Sequence, residues 1–358
     1  EVIGTAEKRA VNIQLVPASV SAIKGEKMQN LGLTRLADYS QYVPGLVIGN
    51  GGSPGQTSIT LRGISPVSSA AVVGTYIDDT PLGSSNGWAR ATTFALDLMP
   101  YELDRFEVLR GPQGTLYGAG AMGGLVKYVL KQADTTAFSG EVGGELNSTS
   151  GSSGLGSAER AAINIPVVQD RLAVRLSLFN QDYQGYTDNP RLGLENTDGG
   201  YQRGGRVAVT FKPTDTLKIN LNGLFTRTNF DDGAFVRLGG ITSTVEDGVT
   251  LYHGKPVGGD LSRANTYTAP FSKKIDYLSG VINWDLGQLT AVSATSYSHT
   301  VTAQRQDASD LYGAYTQLFG LAPGVSFFDL GLDLKKWTHE FRLQSPTGWT
   351  FEWLVGAF

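Results

Sequence analysis

The sequence predicts a mainly β fold in two parts: a small α/β unit, followed by a long antiparallel sheet built as a transmembrane barrel. From Phe138 onward, long segments alternate apolar and polar residues, so that each strand has one apolar and one polar face. Before Phe138, loops rich in glycine, serine and proline separate short strand-like and helix-like segments. These two patterns divide the chain into a globular part and a membrane part.

The composition excludes several classes of protein. The chain has 358 residues, of which 46 are glycine, 17% are charged and none is cysteine, and its net charge is −4. The lack of cysteine excludes a disulfide scaffold and thiolate metal sites. No basic block indicates nucleic-acid binding, and no run of about 18 apolar residues predicts a membrane-spanning helix.

A glycine-rich stretch over residues 105–131, RFEVLRGPQGTLYGAGAMGGLVKYVLK, organises the first part of the chain. It predicts two strands joined by a turn and a glycine-rich connection. Gly118, Gly120 and Gly123 also spell the G-x-G-x-x-G fingerprint of dinucleotide binding, with Glu141 near the position of a ribose-binding acid. That fingerprint requires a helix at its last glycine, whereas the residues VKYVL favour a strand. A nucleotide site is therefore disfavoured, and a purely structural glycine turn remains an alternative.

The same stretch closely resembles the end of the plug domain of TonB-dependent outer-membrane receptors. The family pattern, IEVLRGPxSxLYGxxAxGGxIxxxTK, is matched at most positions between Glu102 and Lys131. Two positions depart from it: Gly114 replaces a small hydroxyl residue, and Leu130 precedes the closing Lys131. The resemblance implies a plug domain ending here, a barrel of about twenty-two strands after it, and a location in the bacterial outer membrane.

The N-terminal residues EVIGTAEKR resemble the TonB box of this family, a short segment near the mature N-terminus. Gly4 departs from the usual β-branched residue, which weakens strand propensity there. A frayed chain end is the alternative interpretation. The expected division of the chain is a box-containing segment at 1–9, a plug domain at 10–134 and the N-terminal part of the barrel at 135–358. The residues mapped onto the box are Glu1, Val2, Ile3, Gly4, Thr5 and Ala6.

The order of elements after the box also resembles that of a plug domain. Val16–Ile23 predicts a strand, and Lys24–Met28 predicts the start of a helix. Leu33, Leu36 and Tyr39 have nearly helical spacing before a Pro-Gly pair ends the segment. Two further strands are expected in TSITLRG and VVGTYIDDTPL.

Three loops of turn-forming residues lie near these strands, at residues 50–56, 65–71 and 84–93. In the resembling family, apical plug loops and the inner barrel wall contact the ligand. Trp88 could stack on a ring and Arg90 could bind an anion, with ordinary packing between plug and barrel as the alternative. The candidate ligand-binding residues are Asn50, Ser53, Gln56, Ser84, Asn86, Trp88 and Arg90.

The second part of the chain predicts about nine antiparallel strands. A soluble β-sandwich would show the same alternation, but several of these segments exceed the ~5–6 residues usual in soluble sheets. Short connections such as Lys212–Thr216 also alternate with long ones such as Leu238–Phe271, as in outer-membrane barrels. Because single-chain bacterial barrels have even strand numbers, we expect the intact polypeptide to be roughly twice as long.

Two plug arginines, Arg62 and Arg110, each precede a glycine at the end of a predicted strand. In the resembling family, arginines at these positions meet glutamates of the barrel wall. Glu340 is the best acid in this chain, because alternation with Phe341 and Leu343 points it into the lumen. We therefore expect Arg62, Arg110 and Glu340 to form a charge cluster. The alternative is that each arginine merely solvates a strand end.

The sequence contains no recognisable catalytic constellation. His253, His299 and His339 lack metal-ligand spacing, and there is no cysteine nucleophile. Asp78 and Asp79 could form a carboxylate pair, but adjacent strand residues point to opposite faces, so a turn is the predicted role. We therefore expect no enzymatic activity, no cofactor and no metal site.

The resemblance implies energised uptake of a scarce nutrient, with a ferric siderophore as the first candidate. Saccharides, cobalamin, haem and aromatic compounds are alternative ligands of the same receptor class. The implied partners are the inner-membrane TonB complex, which would receive the box as an added strand, outer-membrane lipid, and a small nutrient such as a metal chelate. A passive structural or adhesive barrel and a soluble β-rich binding module are the competing interpretations.

Overall fold

The computed structural model describes residues 3–4, 8–9, 11–12, 14, 16, 18–33, 35–66, 71–84, 102–236, 238–246, 249–321 and 324–358. Two sheets hold most of the strands in these ranges. A five-stranded sheet with its helices forms the first part, called the plug below, and a nine-stranded sheet forms the second part, called the wall.

The plug alternates short strands and short helices around its sheet. The sheet order is β3-β8-β9-β6-β7, with β6 and β9 parallel and the other neighbours antiparallel. The pairs β1-β2 and β4-β5 form separate two-stranded ribbons. The strands are β1 (Ile3–Gly4), β2 (Val11–Asn12), β3 (Ser19–Lys24), β4 (Leu46–Asn50), β5 (Thr57–Leu61), β6 (Val73–Ile77), β7 (Thr80–Leu82), β8 (Leu103–Arg110) and β9 (Gly124–Leu130), and the helices are α1 (Gly25–Asn30), α2 (Leu36–Ser40) and α3 (Gly114–Tyr117).

The glycine-rich stretch forms β8, the short helix α3 and β9. Gly124 opens β9 with a φ of 135°, and a Cβ at this position would collide with the carbonyl oxygen of Leu109 in β8. Glycine is required here because the two strands approach so closely. A strand, not a helix, follows Gly123, which argues against the dinucleotide interpretation.

The plug core forms where α1 and α2 pack against the five-stranded sheet. The ring of Tyr39 lies 5.6 Å from that of Phe106, which lies 5.2 Å from that of Tyr128. These rings and the side chains of Met28 and Leu36 are fully buried. Full burial of side chains of this size stabilises a fold by about 1.5–3 kcal/mol each. The predicted helical spacing of Leu36 and Tyr39 corresponds to the buried face of α2.

The wall is an antiparallel sheet of nine strands, which confirms the predicted number. Neighbours in the sheet follow each other in sequence, except that β15 and β16 leave it to form a separate ribbon. The strands of the second part are β10 (Ser139–Asn147), β11 (Gly156–Val168), β12 (Leu172–Tyr183), β13 (Gly200–Phe211), β14 (Leu217–Phe230), β15 (Leu238–Glu246), β16 (Val249–Pro256), β17 (Phe271–Asp285), β18 (Thr290–Asp307), β19 (Phe327–Gln344) and β20 (Leu354–Ala357).

The connections of the wall are short at one end and long at the other. Residues 212–216 connect β13 to β14 at the short end, whereas residues 231–270 connect β14 to β17 at the long end. The segment Leu238–Phe271, which the sequence predicts to be a loop, includes the β15-β16 ribbon. Helix α4 (Ser309–Leu318) lies in another long connection and has no counterpart in the sequence prediction. No helix within the described ranges is long and apolar enough to cross a membrane.

The two faces of the wall differ in polarity and in what they contact. Leu178 and Leu221 point outward, and they are 67% and 48% exposed. Arg206 and Tyr277 point inward and are buried, because the plug lies against them. The Tyr277 hydroxyl, for example, makes a hydrogen bond with the hydroxyl of Thr80 in β7. A polar face against a globular unit and an apolar face directed outward are typical of a barrel that holds a plug.

Leu221→Lys should destabilise the protein, because it places a charge on the outward apolar face at the fifth of the fourteen residues of β14. A lysine at mid-membrane depth on the lipid face of a barrel costs about 2–4 kcal/mol, and one near the interface costs about 0–1 kcal/mol. Asn229→Lys, on the same face near the long end of β14, is the matched control. We expect urea titration in lipid vesicles to show the larger loss for Leu221→Lys. Equal losses would contradict the assignment of this face to lipid.

Candidate functional site

A buried carboxylate joins the plug to the wall. Glu102, which precedes β8, is 5% exposed and lies between two inward-facing arginines. Its Oε1 accepts a hydrogen bond from Arg175 Nη2 at 3.1 Å, and its Oε2 accepts one from Arg206 Nη1 at 2.9 Å. Arg206 Nη2 also donates to Asn222 Oδ1 at 2.5 Å. Charge-assisted hydrogen bonds of this kind offset the desolvation of the three charges.

A second network joins the N-terminal segment, the wall and the plug sheet. Lys8 Nζ lies 2.6 Å from Glu340 Oε2 on β19, and Glu340 Oε1 lies 3.2 Å from Arg342 Nη1. Arg342 Nη2 then lies 2.6 Å from Asp79 Oδ2, and Asp79 Oδ1 lies 3.1 Å from Lys127 Nζ in β9. All five side chains are less than one-fifth exposed. The network therefore holds three separate parts of the chain together through charge.

Within the described residues, the three members of the predicted charge cluster have separate partners. Glu340 does contact the plug part of the chain, but through Lys8. Arg110 Nη1 donates to the carbonyl oxygen of Pro44 at 3.4 Å, and Arg62 N donates to that of Gly45 at 2.8 Å. Both arginines thus lie at the Pro-Gly turn before β4. Among the described contacts, neither arginine meets Glu340, whose carboxylate is paired with Lys8 and Arg342.

Asp78 and Asp79 form the two-residue turn between β6 and β7, as predicted, but their environments differ. Burial raises the pKa of the Asp78 carboxyl to about 6. Its Oδ1 accepts a hydrogen bond from Leu130 N at 2.9 Å. Burial acts in the same direction on Asp79, but Lys127 and Arg342 outweigh it and hold the pKa of that carboxyl well below its usual range. Asp79 is therefore the member of the pair that links plug and wall.

The plug loop at residues 50–56 lies under a segment of the wall, residues 231–236, which we call the strap. Ala234 N donates to the carbonyl oxygen of Gly52 at 2.8 Å. A side chain on Gly52 would collide with the ring of Phe235. The strap itself is fixed by Asp232, whose Oδ1 lies 2.6 Å from Arg263 Nη1 with both side chains buried. The plug apex is thus in direct contact with the long end of the wall.

The strap limits the access of a ligand to some of the candidate ligand-binding residues. Ser53 is 1% exposed beneath the strap, so it is not accessible to a ligand in this conformation. The backbone of Gln56 closes the loop, since its N donates to Ser53 O at 2.9 Å and its O accepts from Gly51 N at 2.6 Å. Asn50 ends β4. Asn86, Trp88 and Arg90, and the box residues apart from Ile3 and Gly4, lie outside the described residues.

A cavity of 590 Å³ lies between the plug and the last strands of the wall. Lys8, Tyr117, Ser84, Lys336 and Glu340 contribute to its lining, together with the glycine-rich connection of residues 114–120. The lining thus combines members of the Lys8–Glu340 network with the glycine-rich connection that contains α3. Within the described ranges, no group of three or more side chains is placed to hold a metal ion. The polar side chains of the cavity can form ion pairs and hydrogen bonds and can exchange one such partner for another.

Sequence reasoning missed the residues that make the strongest contacts. Alternation along β12 and β13 places Arg175 and Arg206 on the polar face, but it does not indicate their partner. Glu102 directly precedes β8, and nothing in the local sequence marks it as buried. Lys8 lies in the box-containing segment at 1–9, after the box residues themselves. Its role depends on a contact with β19, more than three hundred residues away.

Glu102→Ala should loosen the plug, because it leaves two buried arginines without their carboxylate. Breaking a buried ion pair costs about 3–5 kcal/mol. Asp104→Ala is the control, since this nearby acid is 56% exposed and an exposed ion pair contributes about 0–1 kcal/mol. The rate at which protease cleaves the plug in the purified protein measures the change.

A double-mutant cycle tests whether Glu102 and Arg206 act together. We expect Glu102→Ala/Arg206→Ala to be less destabilising than the sum of the two single changes, since either one removes the same contact. Strictly additive effects would show that the two side chains do not interact, and the contact would then have to be dropped.

Asp78→Asn should change how plug stability depends on pH. Between about pH 4 and 6, the folded protein keeps a proton on Asp78 that the unfolded chain has lost, so the free energy of unfolding falls as the pH rises. Asparagine retains an oxygen for Leu130 N but cannot ionise. We expect the free energy of unfolding of the variant to exceed that of the wild type by up to about 3 kcal/mol at pH 7.5 and by little at pH 4. If the wild type and the variant had identical unfolding curves at both pH values, ionisation of the Asp78 carboxyl would cost the folded protein no free energy.

Comparisons with known proteins agree with this geometry. Residues 12–125 match the TonB-dependent Receptor Plug Domain family. The pesticin receptor of Yersinia enterocolitica is 29% identical over 201 residues, which cover 55% of this chain and 27% of that receptor. The iron-regulated outer membrane virulence protein of Vibrio cholerae is 31% identical over 147 residues, which cover 38% of this chain and 21% of that protein.

A solved structure extends the similarity to the wall. The ferric yersiniabactin uptake receptor FyuA from Yersinia pestis superposes with a TM-score of 0.72 at 19% identity, and the match covers 95% of this chain and 47% of that receptor. The chain therefore spans about half the length of this solved receptor. The plug match, the polar inner face and the long outer connections lead to one conclusion: residues 12–125 are a plug domain of the TonB-dependent receptor family, and the wall has the fold of part of the barrel of such receptors.

Proposed function

We propose that this protein takes up a scarce nutrient across the outer membrane with energy supplied through TonB. The observation that carries the proposal is the ion-pair network that begins at Lys8, two residues after the proposed box. Through Glu340 and Arg342, it connects the N-terminal segment to the wall and then to Asp79 in the plug. A pull on the N-terminus would act directly on the contacts that hold the plug in the barrel.

The proposed TonB box covers residues 1–6, within a division of the chain at 1–9, 10–134 and 135–358. In it, Ile3 and Gly4 form β1, which pairs with Val11 and Asn12 of β2. This pairing supports an extended conformation, which strand addition to TonB requires. Separation of β1 from β2 would free its backbone groups for the inner-membrane partner.

The ligand would enter from the long end of the wall and meet the plug apex. Ser53 is omitted from the proposed contacts because the strap covers it. A ligand that reaches the loop at 50–56 would have to displace the strap, whose hydrogen bonds to the plug can be exchanged for bonds to water or ligand at small net cost. The proposed ligand contacts are Asn50, Gln56, Ser84, Asn86, Trp88 and Arg90.

A ferric siderophore is the first candidate ligand. The names of two similar proteins support it, a pesticin receptor and a receptor for ferric yersiniabactin uptake. A saccharide, cobalamin, haem or an aromatic compound is the alternative within the same receptor class. Arg62 and Arg110 are proposed to contact acids elsewhere on a complete barrel wall. A passive barrel would leave the buried connection from Lys8 to Asp79 without a role.

We also propose that the chain has no enzymatic activity. The buried titratable side chains between plug and wall are held in ion pairs with one another. A catalytic acid or base needs access to a reacting group, whereas these groups are occupied by structural partners.

Deleting Glu1–Ala6 tests the proposed function. We expect uptake of radioactive iron, supplied as a panel of ferric siderophores to cells without other receptors, to be abolished. Binding of the same chelates to isolated outer membranes should remain, because the box contributes to coupling and not to the ligand site. A deletion that lowers binding and uptake equally would show that the segment is misassigned. Uptake that persists in the deletion would exclude TonB coupling through it.

A further inference from the structure

Three cations lie side by side on the outward face of the wall. Arg203, Arg227 and Lys274 occupy the neighbouring strands β13, β14 and β17, and their Cα atoms are direct partners in the sheet. Each is the fourth residue from the long end of its strand. Like charges directly opposite each other destabilise a sheet. The row is therefore an unfavourable arrangement unless an anion lies against it.

The protein supplies only part of the required negative charge. Asp276 lies 3.0 Å from Arg227 Nη1 and 2.9 Å from Lys274 Nζ. The guanidinium of Arg203 stacks 3.8 Å above the ring of Tyr201 and has no carboxylate partner among the described residues. Three positive charges thus face one carboxylate in direct contact, Asp276, and a second, Glu159, across the adjoining groove, which leaves an excess of one positive charge at this point of the surface.

A groove of 620 Å³ opens directly beside Arg203 and Arg227. Its apolar side is formed by Leu178, Gly205 and Phe225, which are direct partners across β12, β13 and β14. Gly205 keeps the groove open, because a Cβ at that position would lie 2.8 Å from Leu178 Cδ2. Across the groove, Glu159 accepts a hydrogen bond from Asn180 Nδ2 at 2.9 Å.

The groove leads into the apolar band of the wall. A second hollow of 610 Å³ shares Phe225 with the first and is lined by Leu221, Gly223, Leu278 and Trp337. These residues lie farther from the long end than the cations do. The surface therefore combines a cationic site at the edge of the apolar band with a continuous apolar channel below it.

We propose that this groove binds a phosphate-bearing lipid of the outer leaflet, with a phosphate between Arg203 and Arg227 and an acyl chain along Gly205 and Phe225. Arginine suits the phosphate because its planar fork can donate two parallel hydrogen bonds. The cations lie at the depth where lipid headgroups meet the hydrocarbon, and the apolar channel matches an acyl chain in position and polarity. A soluble anion would use the arginines but leave the channel unexplained.

The test measures lipid binding by native mass spectrometry of the protein purified from its native membrane. The probes are phosphorylated lipid A, the same lipid without phosphates, and inorganic phosphate. We expect Arg203→Gln/Arg227→Gln to weaken binding of phosphorylated lipid A by about tenfold or more. Arg203→Lys/Arg227→Lys should weaken binding less than the glutamine pair does, because it retains the charge but loses the planar fork.

Two further variants separate the site from general effects. Arg305→Gln is the matched control, since Arg305 also points outward near the long end but is already paired with Asp329 at 2.8 Å. It should bind lipid A as the wild type does. Gly205→Leu, which fills the groove and keeps both arginines, should weaken lipid A binding and leave binding of inorganic phosphate unchanged.

Three outcomes would overturn the proposal. The first is wild-type affinity in both Arg203→Gln/Arg227→Gln and Gly205→Leu. The second is equal affinity for lipid A with and without phosphates, which would indicate an apolar groove alone. The third is displacement of lipid A by an equal concentration of inorganic phosphate, which would indicate a site for a soluble anion.

Discussion

The structure depends on the carboxylate of Glu102, which is held between Arg175 and Arg206. A lumen lined with arginine, asparagine and threonine is stable only when water or a matching polar surface satisfies it. The plug supplies that surface here, and Glu102 brings the charge that two buried arginines require. Asp79 does the same for Arg342. The position of the plug is therefore set by electrostatic matching, whereas its own fold is set by its apolar core.

An interface of this kind would suit the movement of the plug that the proposed uptake requires. Separating apolar contacts between plug and wall would expose apolar surface to water, which costs free energy. Hydrogen-bonding groups can instead exchange one polar partner for another at small net cost. Lys8 lies at the start of this set of contacts, next to the proposed box and paired with Glu340. The strap at the long end and the Lys8 network at the N-terminal segment thus hold the same plug at two separate places.

The outward face of the wall obeys a different constraint. Its side chains meet hydrocarbon over the middle of the strands, so leucine, phenylalanine and tryptophan predominate there. Glycines such as Gly205 and Gly223 interrupt this surface and leave grooves, because nothing fills the space of a missing side chain. Arg203, Arg227 and Lys274 lie near the long ends of their strands. Arg203 and Arg227 mark one such boundary, where the solvent changes from hydrocarbon to headgroups.

The sequence by itself predicted a plug followed by a barrel wall, about nine wall strands, and the facing of the alternating side chains in β12, β13, β14 and β19. These features follow from local rules, because a period of two fixes the facing of a strand and glycine fixes where strands can approach. Only the tertiary structure decided which charges meet. Alternation placed Arg175, Arg206 and Glu340 in the lumen. The height and rotation of the plug determined that Glu102 pairs with the two arginines and that Lys8, instead of the expected Arg110, pairs with Glu340. Those two quantities depend on contacts between residues far apart in the chain, and no local pattern encodes them.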